Sequence, residues 1–135
     1  MSLRLPAQIK QAMLVHAENC YPEEACGLVA GDRRGLRMAY PLTNVLASPT
    51  NYTIDPVEHF RALKHAERQG WELVGVFHSH PHSQAYPSPT DVRLAPDPEW
   101  VYFLIGLADR DRPQLRAFRI HDGTITEIDI EEETR

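Results

Sequence analysis

The chain has 135 residues, 42% of them hydrophobic and 24% charged, a size and balance that suit one domain over residues 1–135 and exclude a disordered tail. No apolar run reaches the roughly 18 residues a membrane span needs, so no membrane partner is expected. A net charge of −5 speaks against a nucleic-acid partner, because the one adjacent basic pair, Arg33-Arg34, sits in a Gly-flanked turn.

In chain order, residues 1–6 lack the long apolar stretch of a secretory signal, and nothing is built on the opening three residues. Ile9, Ala12, Met13, His16, Ala17 and Cys20 recur at steps of three and four, which predicts a helix ended by Pro22. Two cysteines, Cys20 and Cys26, are too few for a disulfide-stapled secreted domain, and the expected compartment is the cytoplasm. Ala25 to Ala30 reads as a buried strand and Leu36 to Leu42 as its partner across a Gly31–Gly35 turn. Asp55 caps a second helix, with Pro56 at its first position and Glu58 at capping-box spacing. Val57, Phe60, Leu63 and Ala66 are its expected core face, and Gly70 its end. Leu73 to Phe77 and Trp100 to Leu107 are nearly unbroken apolar runs, as in strands covered on both faces. Leu115 to Ile120 and Thr124 to Ile130 flank the hairpin signal Asp122-Gly123. The acidic run Glu131 to Glu133 reads as a solvated, frayed tail. Together these elements predict an α/β fold, a mixed or mostly antiparallel sheet flanked by helices.

The chemistry concentrates in His78-Ser79-His80-Pro81 and Ser88-Pro89-Thr90-Asp91. Side chains two apart on a strand share a face, so His78 and His80 can grip one metal ion. The loop from Pro81 to Pro87 is long enough to fold back to a helix start at Ser88, which brings Asp91 within reach of the same ion. Two nitrogens and a carboxylate leave the fourth tetrahedral position open to water, the pattern of catalytic zinc. Each fragment has an ordinary alternative. A strand-end histidine is commonly a polar residue near a loop, and Asp91 also suits the first turn of a helix. The conjunction is what points to a metal. A base is needed beside it, and spacing cannot choose among 19 acidic residues. Glu23 and Glu24 stand out by leading into the buried strand, although a charged pair at a strand start is ordinary.

These residues resemble the JAMM (MPN+) zinc metalloprotease family, whose pattern is an early glutamate, then His-x-His-Pro, seven residues, and Ser-x-x-Asp. The spacing here matches fully, and Pro22 to Leu28 is similar to the family's first strand. The resemblance implies a single-domain JAMM/MPN, cytidine-deaminase-like fold. It also implies zinc on His78, His80 and Asp91, Glu24 as the general base, and Ser88 as an oxyanion donor. Ser79 matches a position behind the ligands. The related deaminases use a Pro-Cys-x-x-Cys set, which Cys20 and Cys26 cannot supply. The segments around Asn44, Ser48 to Tyr52 and Ala85 to Val92 resemble small bacterial members that act on a ubiquitin-like sulfur-carrier protein. Those members release cysteine from the carrier's C-terminal glycine in cysteine biosynthesis. Asn51 to Ile54 and Tyr86 are the expected neighbours of the carrier's tail. Alternatives are a JAMM hydrolase acting on another ubiquitin-like tail or on a small-molecule amide, and a non-catalytic MPN scaffold. His82 reads as an exposed loop histidine, and Trp71 and Trp100 as core or rim packing. Nothing in the sequence specifies an oligomeric state.

Overall fold

The computed structural model describes residues 2–133. Seven strands and three helices follow in the order β1 (Ser2–Leu5), α1 (Ala7–Cys20), β2 (Cys26–Asp32), β3 (Gly35–Leu42), α2 (Pro56–Arg68), β4 (Glu72–His80), α3 (Pro89–Arg93), β5 (Val101–Gly106), β6 (Gln114–His121) and β7 (Thr124–Glu132). The strands form one sheet in the order β1-β7-β6-β5-β4-β2-β3. The β4–β5 and β1–β7 pairs are parallel and the others antiparallel, so the mixed sheet expected from the sequence is borne out. Among the described residues, no helix is long and apolar enough to cross a membrane.

Both faces of the central strands are covered, which is why β4 and β5 read as unbroken apolar runs. On one face, Phe77, Phe103 and Ile105 pack with Ile9, Met13 and Ala17 of α1. On the other, Leu28, Val76, Tyr102 and Leu104 pack with Ala62 and Ala66 of α2. Alternation along β4 and β2 therefore assigns His78, His80 and Cys26 to the α2 face. That face carries the site.

Three expectations need correction. The core face of α2 is built on Ala62 and Ala66, while Val57 and Phe60 are each 58% exposed. The small alanines let the helix lie close on the sheet, and that contact sets its rotation. Glu58 does not close a capping box. Its carboxylate instead accepts the Thr43 backbone N–H at 2.6 Å and the Thr43 hydroxyl at 2.9 Å, while Asp55 alone caps Val57 and Glu58. The acidic run is not a frayed tail. Glu131 and Glu132 continue β7 alongside Arg4 and Leu5 of β1, and Lys10 reaches Glu132 at 2.7 Å. The strand β1 had no sequence signal beyond two leucines.

Candidate metal centre

The site is assembled from three segments distant in sequence. The first is the end of β4. His78 and His80 point to the α2 face and are buried, at 4% and 7% exposure. Ser79 between them points the other way, and its Oγ accepts the Ala25 N–H at 2.8 Å. The Ser79 N–H in turn donates to the Ala25 carbonyl at 3.0 Å. These bonds carry the β2–β4 ladder past its last regular pair. The last regular pair sets Cys26 opposite His78, these bonds hold Ala25 beside Ser79, and Glu24 is the next residue back along the chain.

The second segment is the turn into α3. Ser88 Oγ accepts the Asp91 N–H at 3.1 Å, and Asp91 Oδ2 accepts the Ser88 N–H at 2.9 Å, a reciprocal capping box. This orients the Asp91 carboxylate toward β4. Its Oδ1 lies 3.2 Å from His78 Nε2 and its Oδ2 3.0 Å from His80 Nε2. The two Nε2 atoms are 3.2 Å apart.

Those three separations fit a metal. Bonds of about 2.0–2.1 Å to a tetrahedral ion set ligand atoms roughly 3.3 Å apart. The tautomers agree. His80 Nδ1 lies 3.1 Å from the Gln84 carbonyl, which can only accept, so Nδ1 carries the proton and a neutral His80 presents a bare Nε2 lone pair. That lone pair faces an anionic carboxylate and a second imidazole. Only a cation, a proton or a metal ion, makes the arrangement favourable. His78, His80 and Asp91 form the one group of potential metal-binding side chains of this kind among the described residues.

The electrostatics follow from the same contacts. Burial raises the Asp91 carboxyl, but the hydrogen-bonded imidazoles outweigh it and hold the group well below the usual carboxylate range. Burial lowers His78. It also acts to lower His80, yet the bonds to Asp91 and to the Gln84 carbonyl leave its net pKa raised.

The third segment brings Glu24, which is 4% exposed and whose Oε1 has no hydrogen-bond partner among the described residues. Burial pushes its carboxyl up to about 8, with His80 opposing and Asp91 reinforcing the shift. A buried, unpaired carboxyl oxygen is costly unless something fills the gap. Water on a neighbouring cation is a partner of the right chemistry.

Two features were not legible in the sequence. Tyr52 stacks on the His78 ring, centroids 4.5 Å apart and planes at 28°, and fixes that ring from the loop before α2. The partner of His80 is a backbone carbonyl, which leaves no trace in residue type. Beside His78 and Asp91 opens a largely apolar cleft of about 250 Å³, floored by Leu28, Val76 and Leu104 and rimmed by Tyr52, Ile54, Leu94 and Trp100. Asn51, Tyr52 and Ile54 line this cleft, and Tyr86 stands outside its lining, over Phe118. His82 is exposed and meets the Tyr21 ring edge-on, apart from the donor cluster.

The fold and this cluster define a class. The family profile described as prokaryotic homologs of the JAB domain matches residues 6–121, and the chain belongs to that family. It is a hydrolase of the JAMM type. The CysO-cysteine peptidase of Mycobacterium tuberculosis is 39% identical over 127 residues, covering 93% of this chain and 87% of the relative. A probable TtuB-protein conjugate cleaving protease of Thermus thermophilus is 40% identical over 94 residues, covering 69% of this chain and 63% of that one. The solution structure of DSY2949 from Desulfitobacterium hafniense superposes with a TM-score of 0.88 at 36% identity, covering 98% of this chain and 94% of that chain.

Proposed function

We propose that the protein is a zinc peptidase that hydrolyses the amide bond after the C-terminal glycine of a ubiquitin-like sulfur carrier and so releases cysteine. The observation that carries this reading is the convergence of His78 Nε2, His80 Nε2 and the Asp91 carboxylate at 3.0–3.2 Å beside Glu24, whose Oε1 has no partner among the described residues. The substrate class is supported by the likeness to a CysO-cysteine peptidase over most of both chains.

In this reading His78, His80 and Asp91 hold the ion. Zinc there supplies Lewis acidity and brings the pKa of a water to about 7. Glu24 accepts a proton from the attacking water and returns one to the departing amine. Glu24, raised to about 8 by burial, would be brought toward a base at neutral pH if His78, His80 and Asp91 held a cation. Ser88 accepts the Asp91 N–H through Oγ and keeps its own proton to donate to the tetrahedral oxyanion. Donors of this kind are worth roughly 100- to 1000-fold in rate. The apolar cleft beside His78 and Asp91 offers a path for an extended tail.

The likeness to a conjugate-cleaving protease favours a second substrate for the same chemistry, a carrier tail joined to another protein. One assay separates the readings. Zinc-loaded protein is incubated with a carrier bearing cysteine after Gly-Gly, and with the same carrier joined to a lysine amine. Chelated protein and Glu24→Gln serve as controls. Cysteine release by the loaded wild type alone is the expected result. Cleavage of the lysine conjugate alone moves the substrate to the second reading, and bound zinc with neither product refutes both.

A further inference from the structure

Glu24 projects from the chain just before β2 begins, where no regular strand pairing holds it, yet its carboxyl has to sit within reach of a point set by β4 and α3. What fixes it comes from the loop between β3 and α2. The Glu24 N–H donates to the Ser48 carbonyl at 2.8 Å. The Glu24 carbonyl accepts from Asn44 Nδ2 at 3.1 Å. Asn44 spends its whole side chain on this junction. The same Nδ2 donates to the Asn51 carbonyl at 3.0 Å, and Oδ1 accepts the Leu46 N–H at 3.0 Å and the Thr53 N–H at 3.1 Å. The amide orientation is unambiguous, since a flip would set its oxygen against two carbonyls and its NH2 against two N–H groups. The loop it closes also carries Tyr52, the residue stacked on His78.

We infer that Asn44 is the positioning residue of the reaction. It is a four-bond clamp that folds residues 44–53 onto the Glu24 backbone and holds the base in register with His78, His80 and Asp91. The inference rests on Glu24 acting as the base. Asn44 touches neither the substrate nor the ion and works through Glu24 and through the loop bearing Tyr52.

The decisive variant is Asn44→Asp, which keeps the acceptor for Leu46 and Thr53 and loses the donors to Glu24 and Asn51. Asn44→Gln keeps both groups one methylene further out and serves as partial rescue. Two measurements are made on each. Amide hydrogen exchange of metal-free protein needs no substrate. It is expected to quicken at least 10-fold at Glu24 in Asn44→Asp, as the loop carrying the Ser48 carbonyl loosens, with β5 and β6 unchanged and with a smaller change at Leu46 and Thr53, whose acceptor is kept. Steady-state cleavage of the carrier–cysteine adduct is expected to show kcat down 10- to 100-fold with KM within about 2-fold and full zinc content. The double variant Asn44→Asp/Glu24→Gln is expected to be no slower than Glu24→Gln alone, because a clamp has nothing to hold once the base is gone. Unchanged exchange at Glu24, or losses that multiply in the double variant, overturns the clamp. If the wild type cleaves no carrier, the proposed substrate falls and the exchange data alone decide on Asn44.

Discussion

At the scale of single residues, Glu24 shows how burial tunes a group before any ligand arrives. Its carboxyl is pushed up from 4.5 to about 8 chiefly by loss of solvent. The raised folded-state value means that, between those two pH values, the metal-free folded protein holds a proton that the unfolded chain releases. Stability from this group is therefore full below about pH 4.5 and is lost as pH rises through about 8. Glu24→Gln cannot ionise and escapes the loss. Chelated Glu24→Gln is thus expected to match chelated wild type near pH 4.5 and to exceed it at pH 9 by on the order of a few kcal/mol. Denaturant melts at the two pH values check this, and parallel curves for the two proteins would refute it. The identity of Glu24 as the residue of interest came from the family spacing. Its isolation, an oxygen without a partner among the described residues, is a property of the fold.

At the scale of elements, the loop from Pro81 to Pro87 lies across the end of β5, and a glycine permits it. A side chain at Gly106 would put Cβ 2.5 Å from the Ala85 nitrogen and 2.9 Å from the Gln84 carbonyl carbon, both backbone atoms that cannot swing aside. The Gln84 carbonyl is the group that fixes the His80 tautomer. Gly106→Ala is expected to displace that segment, cost about 1–3 kcal/mol of stability, and weaken zinc binding at least 10-fold. Competition with a chromophoric chelator measures the affinity; an unchanged value would show that His80 does not depend on this segment. The helix α2 gives the opposite lesson. Its start was legible, because Asp55 caps it, and its end follows from Gly70 at φ +79° with the Trp71 N–H returning to Ala66. Its rotation was only partly legible, since a count of apolar residues found Ala66 but put Val57 and Phe60 on the core face in place of Ala62.

At the scale of the molecule, the donors come from β4 and α3, and the base from the approach to β2. Such a site exists only when the sheet is assembled, so an ion that binds there stabilises the folded chain by mass action. With zinc at 100 times its dissociation constant the gain is about 2.7 kcal/mol, which for a chain of this size corresponds to a Tm higher by roughly 8–13 °C. Thermal melts with and without chelator test the expectation, and Asp91→Asn is expected to melt at the same temperature in both. A wild type insensitive to chelator would count against a metal at this centre.

The sequence by itself determined the elements with strong local signals: the α1 stripe, the Asp122-Gly123 turn, the Ser88 cap, and the strands whose apolar runs report burial on both faces. It also determined the family spacing of Glu24, His78, His80, Ser88 and Asp91, because two-residue alternation on β4 and a helix cap are local rules. Tertiary structure alone decided the rest. The parallel pairing of β1 with β7 drew Glu131 and Glu132 into a strand, the packing of two alanines turned α2, and the loop closed by Asn44 laid Tyr52 on His78. Each of these depends on a contact between residues far apart in the chain. The partners are often backbone carbonyls or small side chains, which carry no periodicity and so leave nothing in the sequence to read.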